Sequence, residues 1–180
     1  YTRDFGQTSG RFRMGLQEST VSYEKTGHAA SDLENAQSLN ALFADATRPR
    51  KVLAREDVAF YDEALSSPRT DGTCGLAGLV YERYGLAFES QALSTIYGNS
   101  VTPADMTAAG YVLRDGDWYR KSGRNVYAQD AASNFYRPCG IEDAFGNLAS
   151  VAYDAHSWLV ESVTDAVGNI VSADNDYRYM

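Results

Sequence analysis

The sequence is poor in the residues that build metal centres and disulfide frameworks. Its 180 residues include two cysteines, two histidines and four prolines. Two cysteines do not make a disulfide framework. The two histidines could bind zinc only together with both cysteines, at spacings that common zinc sites do not use. We therefore expect Cys74 and Cys139 to be free thiols, and we expect no metal and no cofactor.

Positive charge and long apolar runs are scarce as well. The 16 Lys and Arg residues are outnumbered by 24 Asp and Glu residues, which gives a formal net charge of −8. Nucleic-acid binding depends largely on Lys and Arg that neutralise phosphates, so we expect no nucleic-acid partner. The longest apolar stretch, residues 76–81, is far shorter than the ~20 residues that a membrane-spanning helix needs. The sequence thus predicts no direct membrane span.

No recognised catalytic signature occurs either. The sequence contains no Gly-x-Ser-x-Gly motif and no phosphate-binding loop. Asp115-Gly116-Asp117 begins like a calcium loop, but Val126 stands where such a loop needs a bidentate Glu. The aspartates between Asp154 and Asp176 stay open as acid–base candidates, although Asp near strand ends typically caps turns. We expect the protein not to be an enzyme.

Helix signals are few and short. A helix is predicted over residues 31–46, with Ser31 and Glu34 at capping-box spacing. A second is predicted over residues 90–97 and ends at Gly98. A third has Thr102 as N-cap and Pro103 as its first residue, and Gly110 closes it. Such short helices are expected to brace a mainly β protein.

Strand and hairpin signals dominate the rest of the chain. Residues 12–23 alternate with a break at Gly15, and residues 51–63 have two half-apolar faces, which favours a strand packed on both sides. Residues 79–88 predict a strand broken at Gly85. Asp115-Gly116 between alternating runs is a strong signal for a two-residue hairpin turn.

The most informative feature is an internal repeat. Asp143-Ala144-Phe145-Gly146-Asn147 recurs 22 residues later as Asp165-Ala166-Val167-Gly168-Asn169. Asp supplies a side-chain acceptor, Gly takes positive φ at no steric cost, and Asn tolerates positive φ. The unit therefore reads as a turn, a strand over residues 148–153 that ends at Tyr153-Asp154, and a return strand over residues 158–164. Hairpins of this kind are stable only when they add edge to edge with others.

These patterns predict a mainly β (α+β) protein made of antiparallel hairpins with short bracing helices. Three parts are distinguished: residues 1–50 as an N-terminal strand and helix segment, residues 51–140 as a β region with two short helices, and residues 141–180 as about two hairpin repeats. Aromatic packing between hairpins is the expected use of Tyr153. Because the chain begins at Tyr1 and the last repeat stops short, we expect a piece of a longer protein.

The repeat carries a resemblance to a known family. Its turn, strand and Tyr-Asp ending resemble the YD repeats of the Rhs family. The chain also resembles the middle of the SpvB-like B component of bacterial insecticidal toxin complexes (Tc toxins). The segments that carry this second resemblance are Leu53–Ala64, Ile96–Gly98, Val101–Pro103, Gly110–Arg114, Phe135–Pro138, Ile141–Asn147, Val151–Asp154, Thr164–Asn169 and Asn175–Arg178. One departure is Asn175, which stands where the second unit should have its Tyr.

The resemblance implies a structural role. In such toxins the B and C components form a hollow β-sheet shell around a toxin that a pore-forming A component receives. The expected partners are thus the rest of the parent chain, a C-type component and an A-type component, in a secreted or cell-surface setting. Sheet edges at the two ends of the chain should be open. The alternative is a surface repeat that binds carbohydrate by stacking on Trp118, Tyr119 and Tyr153.

Overall fold

The computed structural model describes residues 2–4, 16–27, 29, 35–47, 49–75 and 77–179. These residues form two antiparallel sheets, three short helices and two 3₁₀ helices. The prediction of a mainly β fold with short bracing helices is confirmed. The predicted run over Phe12, Met14 and Gly15 lies outside the described residues.

The first sheet has six strands. Their order across the sheet is β1-β2-β3-β4-β6-β5. The first four strands therefore lie side by side in chain order, and β6 lies between β4 and β5. The strands are β1 (Thr2–Asp4), β2 (Gln17–Lys25), β3 (Arg50–Phe60), β4 (Val80–Phe88), β5 (Tyr111–Arg114) and β6 (Asp117–Lys121).

The second sheet is a five-stranded meander with the order β11-β10-β9-β8-β7. Its strands are β7 (Arg124–Tyr127), β8 (Pro138–Glu142), β9 (Leu148–Tyr153), β10 (Val160–Thr164) and β11 (Ile170–Ser172). The chain passes from one sheet to the other at Ser122-Gly123, where the Ser122 N–H donates to the Arg83 carbonyl at 2.8 Å. A Cβ on Gly123 would lie 2.7 Å from the Glu142 carbonyl oxygen, so the close approach of β8 requires glycine there.

The helices are α1 (Ala36–Ala44), α2 (Ser90–Tyr97) and α3 (Pro103–Ala108). The predictions for α2 and α3 are confirmed, because Gly98 and Gly110 have φ of 57° and 87° and Thr102 caps α3. The start predicted for the first helix, Ser31 with Glu34, lies outside the described residues. The described helix is capped by Asn35, whose side chain accepts the Gln37 and Ser38 N–H groups at 3.0 Å each.

Two strand predictions are corrected. The break at Gly85 is wrong, because β4 continues through this residue, which pairs with Glu56 on one side and Arg120 on the other. The missing side chain leaves room for Arg120, whose Nε would lie 3.0 Å from a Cβ at position 85. Burial on both faces of β3 holds only for its last three residues, 58–60; Leu53 is 61% exposed.

The core lies in and around the first sheet. One cluster holds Val58 and Phe60, and a second joins Ala59 to Tyr84 and Tyr119. The third seats α2 and α3 on the sheet, through the buried side chains Leu93, Met106 and Trp118. The described residues of the second sheet contribute no member to these clusters. Interactions other than this core must therefore hold the second sheet together.

Candidate functional site: the aspartate turns and open edge of the second sheet

The predicted turn at residues 143–147 is built around the Asp143 carboxylate. Its Oδ1 accepts the Phe145 and Asn147 N–H groups at 2.8 and 2.9 Å, and its Oδ2 accepts the Asn147 side-chain amide at 2.8 Å. Gly146 has a φ of 88°, which glycine adopts without steric cost. One side chain therefore fixes both the turn and the register of β8 with β9.

The second repeat turn reproduces this geometry. The Asp165 Oδ1 accepts the Val167 and Asn169 N–H groups at 3.0 and 2.8 Å, and Oδ2 accepts the Asn169 amide at 2.7 Å. Gly168 has a φ of 91°. Asp143, Gly146, Asn147, Asp165, Gly168 and Asn169 thus occupy the turn positions that the repeat predicted for them.

A third turn of the same kind lies at the opposite end of the sheet. Asp154 Oδ1 accepts the His156 and Trp158 N–H groups at 3.2 and 2.9 Å, and Ser157 has a φ of 55°. Ser157 stands where the other turns have glycine. The repeat prediction placed Asp154 at the end of the strand, before the return strand. The 11-residue spacing of Asp143, Asp154, Asp165 and Asp176, which is half the recognised period, could have shown that Asp154 builds the same kind of turn. The unit of the sheet is therefore one strand and one aspartate turn.

These carboxylates act as turn acceptors. Hydrogen bonding lowers the pKa of Asp143, chiefly through the Asn147 side chain, and lowers that of Asp165, chiefly through Asn169. The pKa of Asp154 is lowered first by a hydrogen bond from the Tyr177 hydroxyl. A general acid at neutral pH needs a raised carboxyl pKa. The lowered pKa values of these three aspartates oppose a general-acid role, and their hydrogen bonds support a role in forming the turns.

Tyr153 has a different partner from the one expected. Its hydroxyl donates to the Pro138 carbonyl at 3.1 Å, and the Arg137 guanidinium lies 5.4 Å from its ring centroid. The ring therefore packs on the neighbouring strand through a cation and a hydrogen bond, where the repeat predicted aromatic stacking. In the second repeat unit, Asn175 stands at the position of Tyr153, and its side-chain amide donates to the Val160 carbonyl at 2.9 Å.

Two of the three proposed carbohydrate-stacking residues are corrected. Trp118 is 6% exposed and Tyr119 is fully buried. Both lie on β6, the first packed under α2 and α3 and the second against Ala59 and Tyr84. A ring that is covered by the core cannot offer a face to a sugar. Trp118 and Tyr119 are adjacent, so their side chains point to opposite faces of the sheet, and each ring is buried on its own face.

Tyrosines also join the two sheets, which sequence reasoning missed. The Tyr61 hydroxyl donates to the Asn125 carbonyl at 2.5 Å, and its ring makes edge contacts with Tyr81 and Tyr127 at centroid distances of 4.8 and 5.4 Å. Arg124 lies over the Tyr81 ring at 4.7 Å. The residues of this cluster are far apart in sequence, so no local sequence pattern predicts it.

The acidic residues that do converge are paired with arginines. A cavity of about 300 Å³ is lined by Asp57, Asp71 and Asp115. Arg55 contacts Asp57 and Asp115 at 3.1 and 3.0 Å, and Arg114 contacts Asp71 at 2.7 Å. These ion pairs tie β3 and the 71–72 loop to the β5–β6 hairpin. Within the described ranges, no three His, Cys, Asp or Glu side chains are grouped to hold a metal ion.

The outer edge of the second sheet is formed by β11 and is apolar, and no strand among the described residues pairs with its outer side. Val163 of β10 pairs with Val151 of β9 and with Val171 of β11, so three valines form a row across three strands. Exposure rises along the row to 74% at Val171, and Ile170 beside it is 67% exposed. The terminal strands β1 and β11 each lie at a sheet edge, as expected. In the part of the chain that the structure describes, no helix is both long and apolar enough to cross a membrane.

Comparison with solved structures identifies the fold. The chain matches the crystal structure of a TcdB2-TccC3 protein with a TM-score of 0.71 and 21% identity, over 99% of this chain and 9% of that one. It matches the Tc holotoxin pore of Photorhabdus luminescens, which carries a TccC3 variant, with a TM-score of 0.73, 21% identity and the same coverage. The chain thus spans about 9% of the length of the chains it matches. No family model and no curated protein sequence matches it.

Proposed function

We propose that the chain is a non-catalytic structural segment of a Tc-type toxin shell, in which its sheets form part of the wall around a toxin cargo. The observation that carries this proposal is the fold, which is shared with segments of two Tc toxin structures over 99% of the chain. Its partners would be the remainder of a B-type component, a C-type component and an A-type pore-forming component, in a secreted complex.

The construction of the second sheet supports a wall role. Each 11-residue unit adds one strand and one aspartate turn, and β11 leaves an edge that a further strand can extend. A sheet that grows in this way suits a shell, because every added strand pairs with the strand before it. The turn aspartates are engaged as acceptors, which agrees with a structural role for them.

A segment exchange tests the proposal. The segment of TcdB2-TccC3 that matches this chain would be replaced by residues 1–180, and the chimera imaged by electron microscopy and treated with protease. A closed shell that shields its contents is the expected result. The same chimera with Val171→Lys should close poorly, whereas Val167→Lys at the tip of a turn should not interfere. A chimera that folds but leaves the shell open would contradict the proposal.

A further inference from the structure

A buried carboxylate lies where the chain passes from the first sheet to the second. Glu82 of β4 is 7% exposed, although Glu is almost never fully buried unless it is paired. The Ser122 N–H donates to the Arg83 carbonyl at 2.8 Å, and the Arg83 N–H donates to the Ser122 hydroxyl at 3.0 Å. These bonds extend the antiparallel pairing of β4 with β6 by one residue. Glu82, the next residue of β4, therefore lies opposite Gly123.

A second carboxylate approaches the same point from the second sheet. The Glu142 carbonyl oxygen of β8 would lie 2.7 Å from a Cβ on Gly123. The Glu142 side chain pairs with that of Arg124 at 2.9 Å, and each of the two side chains is 26% exposed. Gly123 is thus flanked by Glu82 of the first sheet and by Glu142 of the second. We call these three residues, together with Arg124, the joint.

The two carboxylates of the joint differ in their charge partners. Glu142 is paired with Arg124, whereas no ion pair between described residues includes Glu82. The groups that face Glu82 are the Tyr84 hydroxyl of β4, which hydrogen-bonds to it, Lys121 of β6, Arg114 of β5, Glu142 of β8 and Tyr61, which follows β3. Burial raises the pKa of Glu82, and the negative charge of Glu142 raises it as well, although the hydrogen bond and the two cations lower it.

We propose that the joint is a proton-sensitive hinge between the two sheets, in which Glu82 is the sensing group. Protonated Glu82 carries no charge and lets the second sheet close against the first. Ionised Glu82 places a second negative charge near Glu142 in a largely buried site, where two carboxylates repel each other more strongly than in water. The two sheets therefore move apart at this point as the pH rises.

The direction of the pH effect follows from the raised pKa of Glu82 in the folded protein. The stabilisation that protonated Glu82 gives is fully present below the pKa of an unfolded glutamate, about 4.3. It is lost as pH rises through the higher folded value. The closed joint is therefore favoured in mild acid, at pH values where the turn aspartates of the second sheet are still ionised.

The surroundings of the joint leave room for this movement. A cavity of about 570 Å³ lies beside it, and its walls include Tyr61, Arg124 and Glu142. The Tyr61 hydroxyl reaches from the end of β3 to the Asn125 carbonyl of β7, so this hydrogen bond should lengthen when the sheets move apart. In the wall of the proposed function, such a movement would change the angle between neighbouring sheets. That consequence rests on the proposed function, whereas the proton sensitivity rests on the joint alone.

Distance measurements between spin labels on the two sheets test the hinge. The labels would be placed at Lys51→Cys on β3 and Glu161→Cys on β10, which are both exposed, with Cys74 and Cys139 replaced by Ser. Between about pH 4.5 and about pH 8, on either side of the raised Glu82 pKa, the mean of the distance distribution should shift and its width should grow. A carbon-13 titration of the Glu82 carboxyl should have the same midpoint as this change.

Three Glu→Gln variants identify the sensing group. Glu82→Gln keeps an oxygen that accepts the Tyr84 hydroxyl but cannot ionise, so its distance distribution should match the acidic one at both pH values. Glu142→Gln should reduce the shift, because the repulsion is gone. Glu56→Gln is the control: Glu56 is exposed on β3 and paired with Arg83, so this variant should respond like the unsubstituted protein.

Three results would overturn the hinge. They are a distance distribution that does not change with pH, a change that persists in Glu82→Gln, and a shift that Glu142→Gln leaves at full size. None of them bears on the shell proposal, because the measurement uses the chain alone and the segment exchange tests the shell separately.

Discussion

The two sheets of the molecule are held in different ways. The first sheet encloses large side chains: Phe60 is 1% exposed and Tyr119 is fully buried. The second sheet is covered far less, and all three residues of β11 are exposed. What the second sheet has instead is an aspartate carboxylate at each of the three turns that join β8 to β11, bonded to the backbone two and four residues later. The first sheet is therefore specified by packing and the second by turns.

This difference separates two kinds of constraint on sequence. Packing depends on volume and on contacts between residues far apart in the chain, so it leaves no regular trace in the sequence. A turn depends on a few neighbouring residues, so the same letters recur wherever the turn recurs. The sequence repeat is accordingly visible in the second sheet, which has little buried core, and is absent from the first sheet, which holds most of the core.

The largest effect is expected from Phe60→Ala. Removing this buried ring should lower the free energy of unfolding by about 3–5 kcal/mol, the usual loss for a core Phe, as measured by urea denaturation. Phe145→Ala is the matched control in the second sheet. That ring is 74% exposed, so its removal should change stability by less than about 1 kcal/mol. Similar losses for the two variants would break the distinction between the sheets.

A smaller loss is expected from Lys25→Met in the first sheet. The ammonium of this buried residue donates to the Leu42 and Phe43 carbonyls at 2.8 and 2.9 Å and to the Asp45 carbonyl. It satisfies groups that the end of α1 leaves unpaired. Methionine keeps the apolar stem but not the donors, so a loss of about 2 kcal/mol follows. Circular dichroism and urea denaturation would measure it.

Lys51→Met is the control for that substitution, because Lys51 is exposed on β3. It should leave both helix content and stability near the values of the unsubstituted protein. If Lys25→Met behaved like Lys51→Met, the buried ammonium would contribute nothing to holding α1 on β2.

The turns of the second sheet are tested at Gly146. Gly146→Ala places a side chain at a φ of 88° where no atom lies within 4 Å, so the loss measures backbone strain alone. It should be about 1 kcal/mol. Gly146→Asn should lose less, because Asn tolerates positive φ. Equal losses for Ala and Asn in urea denaturation would show that φ does not limit this turn.

Several parts of the fold were predictable because their signals are local. The caps of α3, the glycine after α2, the Asp115-Gly116 turn and β9 all follow from adjacent residues. Gly146 and Gly168 were predictable for the same reason. In each case neighbouring side chains and backbone groups satisfy one another, so distant contacts are not needed to choose the conformation.

The corrections concern features that distant contacts decide. Gly85 does not break β4, because Arg120 from another strand occupies its open side. Trp118 and Tyr119 lie on a hairpin that could be exposed, but Trp118 packs under α2 and α3, and Tyr119 packs against Ala59 of β3 and Tyr84 of β4. The turn after Asp154 was predicted, but its likeness to the other two was missed because Ser157 stands where they have glycine, which hides the 11-residue period.

The last and smallest effect is a difference in pH dependence between the sheets. Hydrogen bonds lower the pKa values of Asp143, Asp154 and Asp165 in the folded state. Their stabilisation is present above the unfolded-state pKa of about 3.9 and is lost as pH falls through the lower folded values. Burial raises the pKa of Glu82 in the first sheet, so acid favours its folded, neutral form. Acid should therefore loosen the second sheet first.

Residue-resolved hydrogen exchange at pH 6 and at pH 3, corrected for intrinsic rates, would show the order. Protection of the β8–β9 and β10–β11 turns should fall between these values while that of β3 and β4 holds. Asn at position 143 cannot titrate, so in Asp143→Asn the acid-sensitive part of protection at this turn should disappear. The carboxylate of Asp174 holds no turn, so Asp174→Asn should leave the acid sensitivity of protection unchanged. If β3 and β4 lost protection together with the turns, the two sheets would form one cooperative unit. The separation of packing from turn chemistry would then describe how each sheet is specified but not how it unfolds.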